Sequence, residues 1–167
     1  MQRLEMTSHS EIKYLPYTAK EMFDLVADIS SYPEFLPWCA AARIQKNVQK
    51  GVLQQIDADL VISFKVFREK FGSRVLLDTS KFTIETDYID GPFRYMHSVW
   101  SFEDCEKGCK VKFNVNFEFK NAMLQSIIGL VFNDAMQRIV RAFERRASEL
   151  YEQINWSSAP ENEPGAS

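Results

Sequence analysis

Histidine is nearly missing from this sequence: the chain of 167 residues holds two, His9 and His97. Glycine is also sparse, at 6 residues. No glycine-rich phosphate loop, GxGxxG turn, HExxH helix or GxSxG elbow occurs, which removes the common nucleotide, zinc-protease and serine-hydrolase signatures. Long hydrophobic runs are absent too. The longest uncharged stretch, Asn121 to Asn133, is 13 residues, against about 20 needed to cross a bilayer. There is no excess of one charge. Twenty Lys and Arg face 23 Asp and Glu, for a net charge of −3 and a pI near 5.5, which argues against a domain held on nucleic acid by bulk charge. Cysteine is limited to Cys39, Cys105 and Cys109. An odd count, behind an N-terminus (Met1 to Ser10) lacking a secretory apolar region, fits a reduced cytoplasmic setting.

Aromatic residues are what the chain has in quantity. Thirteen Phe, 6 Tyr and 3 Trp make up 13% of the residues, within 46% apolar and 26% charged. That composition belongs to a globular domain with a core of its own. The phenylalanines either only fill that core or also line a cavity.

The apolar pattern gives the order of elements. Thr7 to Leu15 alternates loosely, as a strand does. Thr18 and Glu21 form a capping box ahead of a helix carrying Met22, Phe23, Leu25, Val26 and Ile29. Two prolines in Tyr32–Cys39 allow only a short turn of helix there. Strands are predicted over 41–48, 52–64, 64–77, 81–88, 94–103 and 109–120, with turns at Lys50-Gly51, Asp90-Gly91-Pro92 and Glu106-Lys107-Gly108. The last strand is the clearest. Cys109, Val111, Phe113, Val115, Phe117 and Phe119 alternate with Lys110, Lys112, Asn114, Asn116, Glu118 and Lys120, so one face is apolar and one wet. From Asn121 to Tyr151 the spacing turns helical, although Gly129 disfavours a helix. After Asn155 the composition shifts to Trp, Ser, Pro, Glu and Gly, and residues 155–167 are expected to be a disordered tail. An α+β fold follows, in which about seven antiparallel strands curl around one long C-terminal helix. A gap between such a sheet and helix suits an apolar ligand.

Few residues suggest chemistry. Cys105 and Cys109 have no second cluster with which to hold zinc, and no metal site is expected. Cys39 has no local base to make it a nucleophile. The segment Lys65, Arg68, Lys70 and Arg74 carries a local positive charge. It reads either as a solvated hairpin tip or as a contact for anionic lipid headgroups or RNA phosphates. Phe35-Leu36-Pro37-Trp38 is either a plug of the core or the rim of a cavity that touches membrane.

Some of these residues carry a resemblance. Tyr32-Pro33-Glu34-Phe35-Leu36-Pro37-Trp38-Cys39, Asp90-Gly91-Pro92-Phe93, Trp100 with Phe102, Phe117-Glu118-Phe119 and Ala142-Phe143-Glu144-Arg145-Arg146-Ala147 resemble the coenzyme Q-binding START-domain family. That family lies within the polyketide cyclase and lipid-transport superfamily of helix-grip, birch-pollen-allergen-like folds. The resemblance implies a single START-like ligand-binding domain, placed at residues 1–154. It implies ubiquinone as the bound ligand, no catalytic cofactor, and a carrier or chaperone role in respiratory electron transport. A peripheral contact with the cytoplasmic face of the inner membrane goes with that role. Bacterial members described as ribosome-associating toxins make a ribosome contact the alternative, and a cyclase-like enzyme is another. The expected ligand-binding residues are Phe35, Leu36, Pro37 and Trp38 at the rim. The sheet is expected to contribute Phe71, Val75, Phe93, Trp100, Phe102, Val115 and Phe117, and the helix Ile128, Val131, Phe132, Ala135 and Met136. An enzyme would draw its acid and base from His97, Tyr95, Arg94 or Asp87.

Overall fold

The computed structural model describes residues 7–64 and 67–154, so Lys65 and the tail from residue 155 lie outside it. Strand β1 (Thr7–Leu15) leads into helix α1 (Ala19–Ala27), a 3-10 turn (Ile29–Ser31) and the single-turn helix α2 (Tyr32–Phe35). Then come β2 (Cys39–Lys50), β3 (Leu53–Phe64), β4 (Phe67–Asp78), β5 (Thr83–Asp90), β6 (Phe93–Cys105) and β7 (Gly108–Phe119). Helix α3 (Ala122–Leu150) closes the order. The strands form one sheet in the order β1-β7-β6-β5-β4-β3-β2, antiparallel at each step. This is the expected α+β arrangement.

Local chemistry sets the ends of these elements. Glu21 N–H donates to Thr18 Oγ1 (3.1 Å) while Thr18 N–H donates to Glu21 Oε1 (3.0 Å), completing the capping box of α1. Asn121 Oδ1 accepts from Met123 and Leu124 N–H and starts α3. In β7 every second residue from Cys109 to Phe119 is buried, as its alternation requires. Gly91 (φ +141°) closes the β5–β6 turn against β4. A Cβ there would lie 2.7 Å from Phe71 Cβ, so a side chain is excluded.

The inner face of the sheet has two ends. At one end α1 buries Met22, Phe23, Leu25 and Val26. Phe23 meets Phe102 edge-on (6.2 Å), and Trp100 packs on Phe113 (4.3 Å) and on Phe143 of α3 (5.2 Å). Val140, Phe143 and Ala147 bury the C-terminal half of α3 there. Arg146 Nη2 adds an ion pair to Glu34 Oε1 of α2 at 3.1 Å. At the other end no α1 lies beneath α3, and the first half of α3 roofs a cavity.

Candidate ligand-binding site

The cavity has a volume of about 250 Å³. Alternation aims Val115, Phe117 and Phe119 of β7 into it, and Ile62 and Phe64 of β3 and Phe71 of β4 form the opposite wall. Phe93 and Met96 of β6 both point inward because the β6–β7 register shifts between Phe93 and Tyr95. Phe93 stacks on Phe119 at 4.8 Å and meets Phe71 edge-on at 5.5 Å. The roof is Ile128, Val131, Phe132, Ala135, Met136 and Ile139 of α3, with Phe132 on Phe117 at 4.5 Å. Pro37, Trp38 and Pro92 complete the lining. Trp38 sits in the left-handed region (φ 66°), where a bulky residue is strained by on the order of 1–2 kcal/mol. The turn is held by Ser63 N–H donating to Trp38 O at 2.8 Å, and the indole stands edge-on to Phe64 at 5.1 Å.

Every residue lining the cavity is apolar. Such a space favours hydrocarbon over water and gives a charge no partner. Pro37, Trp38, Phe71, Phe93, Val115, Phe117, Ile128, Val131, Phe132, Ala135 and Met136 thus meet at one void. The other expected residues stand elsewhere. Val75 and Phe102 are buried in the core, and Trp100 belongs to the packed end beside Phe113 and Phe143. Leu36 packs partly buried against the core. Phe35 is held by Tyr32 and Phe143, with the Arg146 guanidinium 5.2 Å above its ring. Ile62, Phe64, Pro92, Met96, Phe119 and Ile139 are wall residues that sequence reasoning missed. For Phe119 the signal was present, since it continues the alternation of Val115 and Phe117.

The acid–base candidates lie on the outer face. His97 is opposite in parity to buried Ser98, Trp100 and Phe102 of the same strand. Its Nδ1 is 2.7 Å from Asp87 Oδ1 and its Nε2 3.4 Å from Glu85 Oε1. One ligand atom from each of these three lies within 4.8 Å of the others, so the cluster could offer ligands to a metal ion on the outer face, away from the cavity. Tyr95 is exposed, and Arg94 lies 3.8 Å from Glu118. Burial pushes the Cys39 thiol up and the Cys109 thiol up to about 12, which keeps both protonated, whereas Cys105 is exposed. In the basic segment Arg68 and Lys70 are exposed, and Lys65 lies outside the described residues. Arg74 is engaged by Asp57 through two hydrogen bonds of 2.9 and 3.1 Å, and that guanidinium holds the Asp57 carboxyl below its ordinary range.

A second groove of about 490 Å³ adjoins the cavity at Pro37, which lines both. Its other residues are Phe35, Arg138, Arg141, Ala142 and Arg145.

Residues 15–144 match the family described as polyketide cyclase / dehydrase and lipid transport. The chain belongs to this family. The ribosome association toxin RatA of Rickettsia prowazekii is 43% identical over 148 residues, which is 87% of this chain and 99% of that protein. The mitochondrial coenzyme Q-binding protein COQ10 homolog B of Xenopus laevis is 29% identical, across 86% of this chain and 59% of that protein. Among solved structures, the Zhui aromatase/cyclase from Streptomyces sp. R1128 superposes with a TM-score of 0.74 at 13% identity, covering 92% of this chain and 99% of that one. At that identity the likeness shows the fold, which is the helix-grip, START-like arrangement. No helix among the described residues is long and apolar enough to cross a membrane.

Proposed function

We propose that the protein is a non-enzymatic carrier of ubiquinone, held between the sheet and α3 within a single START-like domain of residues 1–154. The observation that carries this reading is the cavity of about 250 Å³ whose whole lining is apolar and includes Trp38 and six phenylalanines. Burial of hydrocarbon contributes about 25 cal/mol per Å², and the faces of Phe93, Phe117 and Trp38 suit a flat quinone ring. The volume lies just below the ~300–1,000 Å³ of typical ligand pockets. It takes a head and the first isoprene units while a longer tail trails out. The placement of His97, Asp87, Tyr95 and Arg94 on the outer face supports a binder over a cyclase, because a general acid or base must reach its substrate. The name of the COQ10 relative supports the choice of quinone among isoprenoid lipids. On this reading the protein works in the cytoplasm and touches the inner membrane to exchange its ligand, in support of respiratory electron transport, with no catalytic cofactor.

Organic extraction of the purified protein followed by mass spectrometry tests the proposal. A stoichiometric isoprenoid quinone is the expected result. Its absence, even after incubation with quinone-loaded detergent micelles, refutes the reading.

The name of the RatA relative favours a second reading, contact with ribosomal subunits through Arg68 and Lys70. It requires salt-sensitive co-sedimentation with subunits that charge reversal at both positions abolishes. Co-sedimentation that survives the reversal removes this patch as the contact.

A further inference from the structure

The outward stripe of α3 is divided in a way that the cavity does not explain. Met123, Ile127 and Leu130 are 71%, 50% and 88% exposed. They stand at positions i, i+4 and i+7, so they share one face. The same face continues through Asp134 to Arg138, Arg141 and Arg145, all exposed. Meanwhile Ile128, Phe132, Ala135 and Ile139 occupy the opposite face and roof the cavity. The first turns of α3 are therefore apolar on both sides, and the later turns are basic outside. The one acidic residue among the seven named on the stripe, Asp134, is paired with Arg138 Nε at 3.0 Å.

We propose that this stripe is the surface by which the protein docks on a bilayer containing anionic lipid, with Met123, Ile127 and Leu130 entering the acyl boundary and Arg138, Arg141 and Arg145 contacting headgroup phosphates. The geometry fits a helix inclined into the surface. At 1.5 Å per residue the apolar segment is about 10 Å long, comparable to the 5–10 Å that interfacial helices bury. The arginines follow along the same axis at headgroup level. Charge complementarity selects an anionic surface, and the apolar ridge selects a bilayer over nucleic acid, since RNA phosphates offer nothing to Leu130 or Ile127. A second copy of the chain would set arginine stripes against one another. Phe35 and Pro37 share the groove with the arginines, and Pro37 also lines the cavity, so the docked face adjoins the ligand void. The inference deepens the carrier reading by naming its membrane surface, but its test needs no quinone.

The experiment is co-sedimentation of the full chain with quinone-free vesicles of phosphatidylcholine alone, and of an equimolar phosphatidylcholine–phosphatidylglycerol mixture, across a salt series. Binding to the mixed vesicles, weakened by salt, is expected. Replacing Arg138, Arg141 and Arg145 by Gln should weaken it on the order of 100-fold, from about fivefold per basic residue at an anionic surface. The I127S/L130S pair should weaken it in low and high salt alike. Both sets are exposed, and unchanged circular dichroism with an unchanged Tm shows that the fold is intact. Equal binding of wild type to both vesicles, no binding to either, or wild-type binding by either variant overturns the proposal. So does displacement of the vesicles by polyuridylic acid that the I127S/L130S variant still binds, which would make the stripe a nucleic-acid surface.

Discussion

Replacing Ala135 by Phe should make the unloaded protein more stable and abolish ligand uptake. Ala135 lies in the roof, between Phe132 and Ile139, and lines the void. An unfilled space of about 250 Å³ forgoes up to ~6 kcal/mol at roughly 24 cal/mol per Å³. That is comparable to the ~5–15 kcal/mol net stability of a whole domain. A benzene-sized ring fills a void of about 150 Å³, for at most ~3.6 kcal/mol at the same coefficient. Misfit against fixed neighbours takes back about 1–3 kcal/mol. The net gain is then at most about 0.6–2.6 kcal/mol, or a rise in Tm of about 1–10 °C for a chain of this size. Calorimetric melts of delipidated protein measure it. The same melts with ubiquinone at about 100 times its Kd should stabilise wild type by a further ~2.7 kcal/mol and leave Ala135→Phe unmoved. A variant that is no more stable empty and still loads quinone like wild type would show that the void is neither where it is described nor used.

Trp38→Gly and Trp38→Ala both remove the indole from the wall, but only glycine relieves the positive φ. The glycine variant should be the more stable by about 1 kcal/mol in urea melts, and equal midpoints would remove the strain argument. Asp57→Asn tests the outer-face pair with Arg74. The folded-state pKa of Asp57 is depressed, with the Arg74 hydrogen bond as the main cause. Its contribution is therefore present above the unfolded carboxylate pKa and is lost as pH falls through the folded one. For so exposed a pair it is under about 1 kcal/mol. The variant and wild type should differ at pH 7 and converge in strong acid, where a persisting gap would point to packing instead. With a thiol reagent at neutral pH, native protein should label at Cys105 first, because Cys39 and Cys109 are buried and protonated. Early labelling of Cys39 on peptide mapping would contradict that.

Much of the fold was legible because alternation and helical spacing are local properties. Thr7–Leu15 was delimited as found, and the six alternations from Cys109 to Phe119 named the buried face of β7. The site was less legible. Alternation tells which face of a strand is inward but not which end of the sheet a second helix will cover. Val75, Trp100 and Phe102 are inward yet lie away from the void, Trp100 and Phe102 at the end that α1 fills. Met96 was invisible for another reason. The register shift after Phe93 changes parity, so that Phe93 and Met96 both point in while Tyr95 points out. Phe35 and Leu36 read as rim residues from their bulk, but Phe35 is claimed by Phe143 and Arg146, partners more than 100 positions away in sequence.

The two halves of α3 also make it a cantilever. Its C-terminal half is clamped by Val140, Phe143, Ala147 and the Arg146–Glu34 pair, while the half that begins at Ala122 crosses the cavity and meets its floor where Phe132 packs on Phe117 at 4.5 Å. Mechanical compliance is greatest at the free end. A flexure of about 10° at Ile139 would sweep the start of the helix by roughly 5 Å, given 1.5 Å per residue over the intervening turns. Beside that apolar contact, a polar catch holds the end down. Gln125 accepts from Phe119 N–H and donates to Thr7 Oγ1, both at 2.7 Å, and Asn133 Oδ1 stands 3.2 Å from His9 Nδ1. Each such bond is worth about 1 kcal/mol net, and water can replace each in turn. Lifting this stretch of helix would break those bonds and part Phe132 from Phe117, and it is the stretch whose lifting uncovers the void.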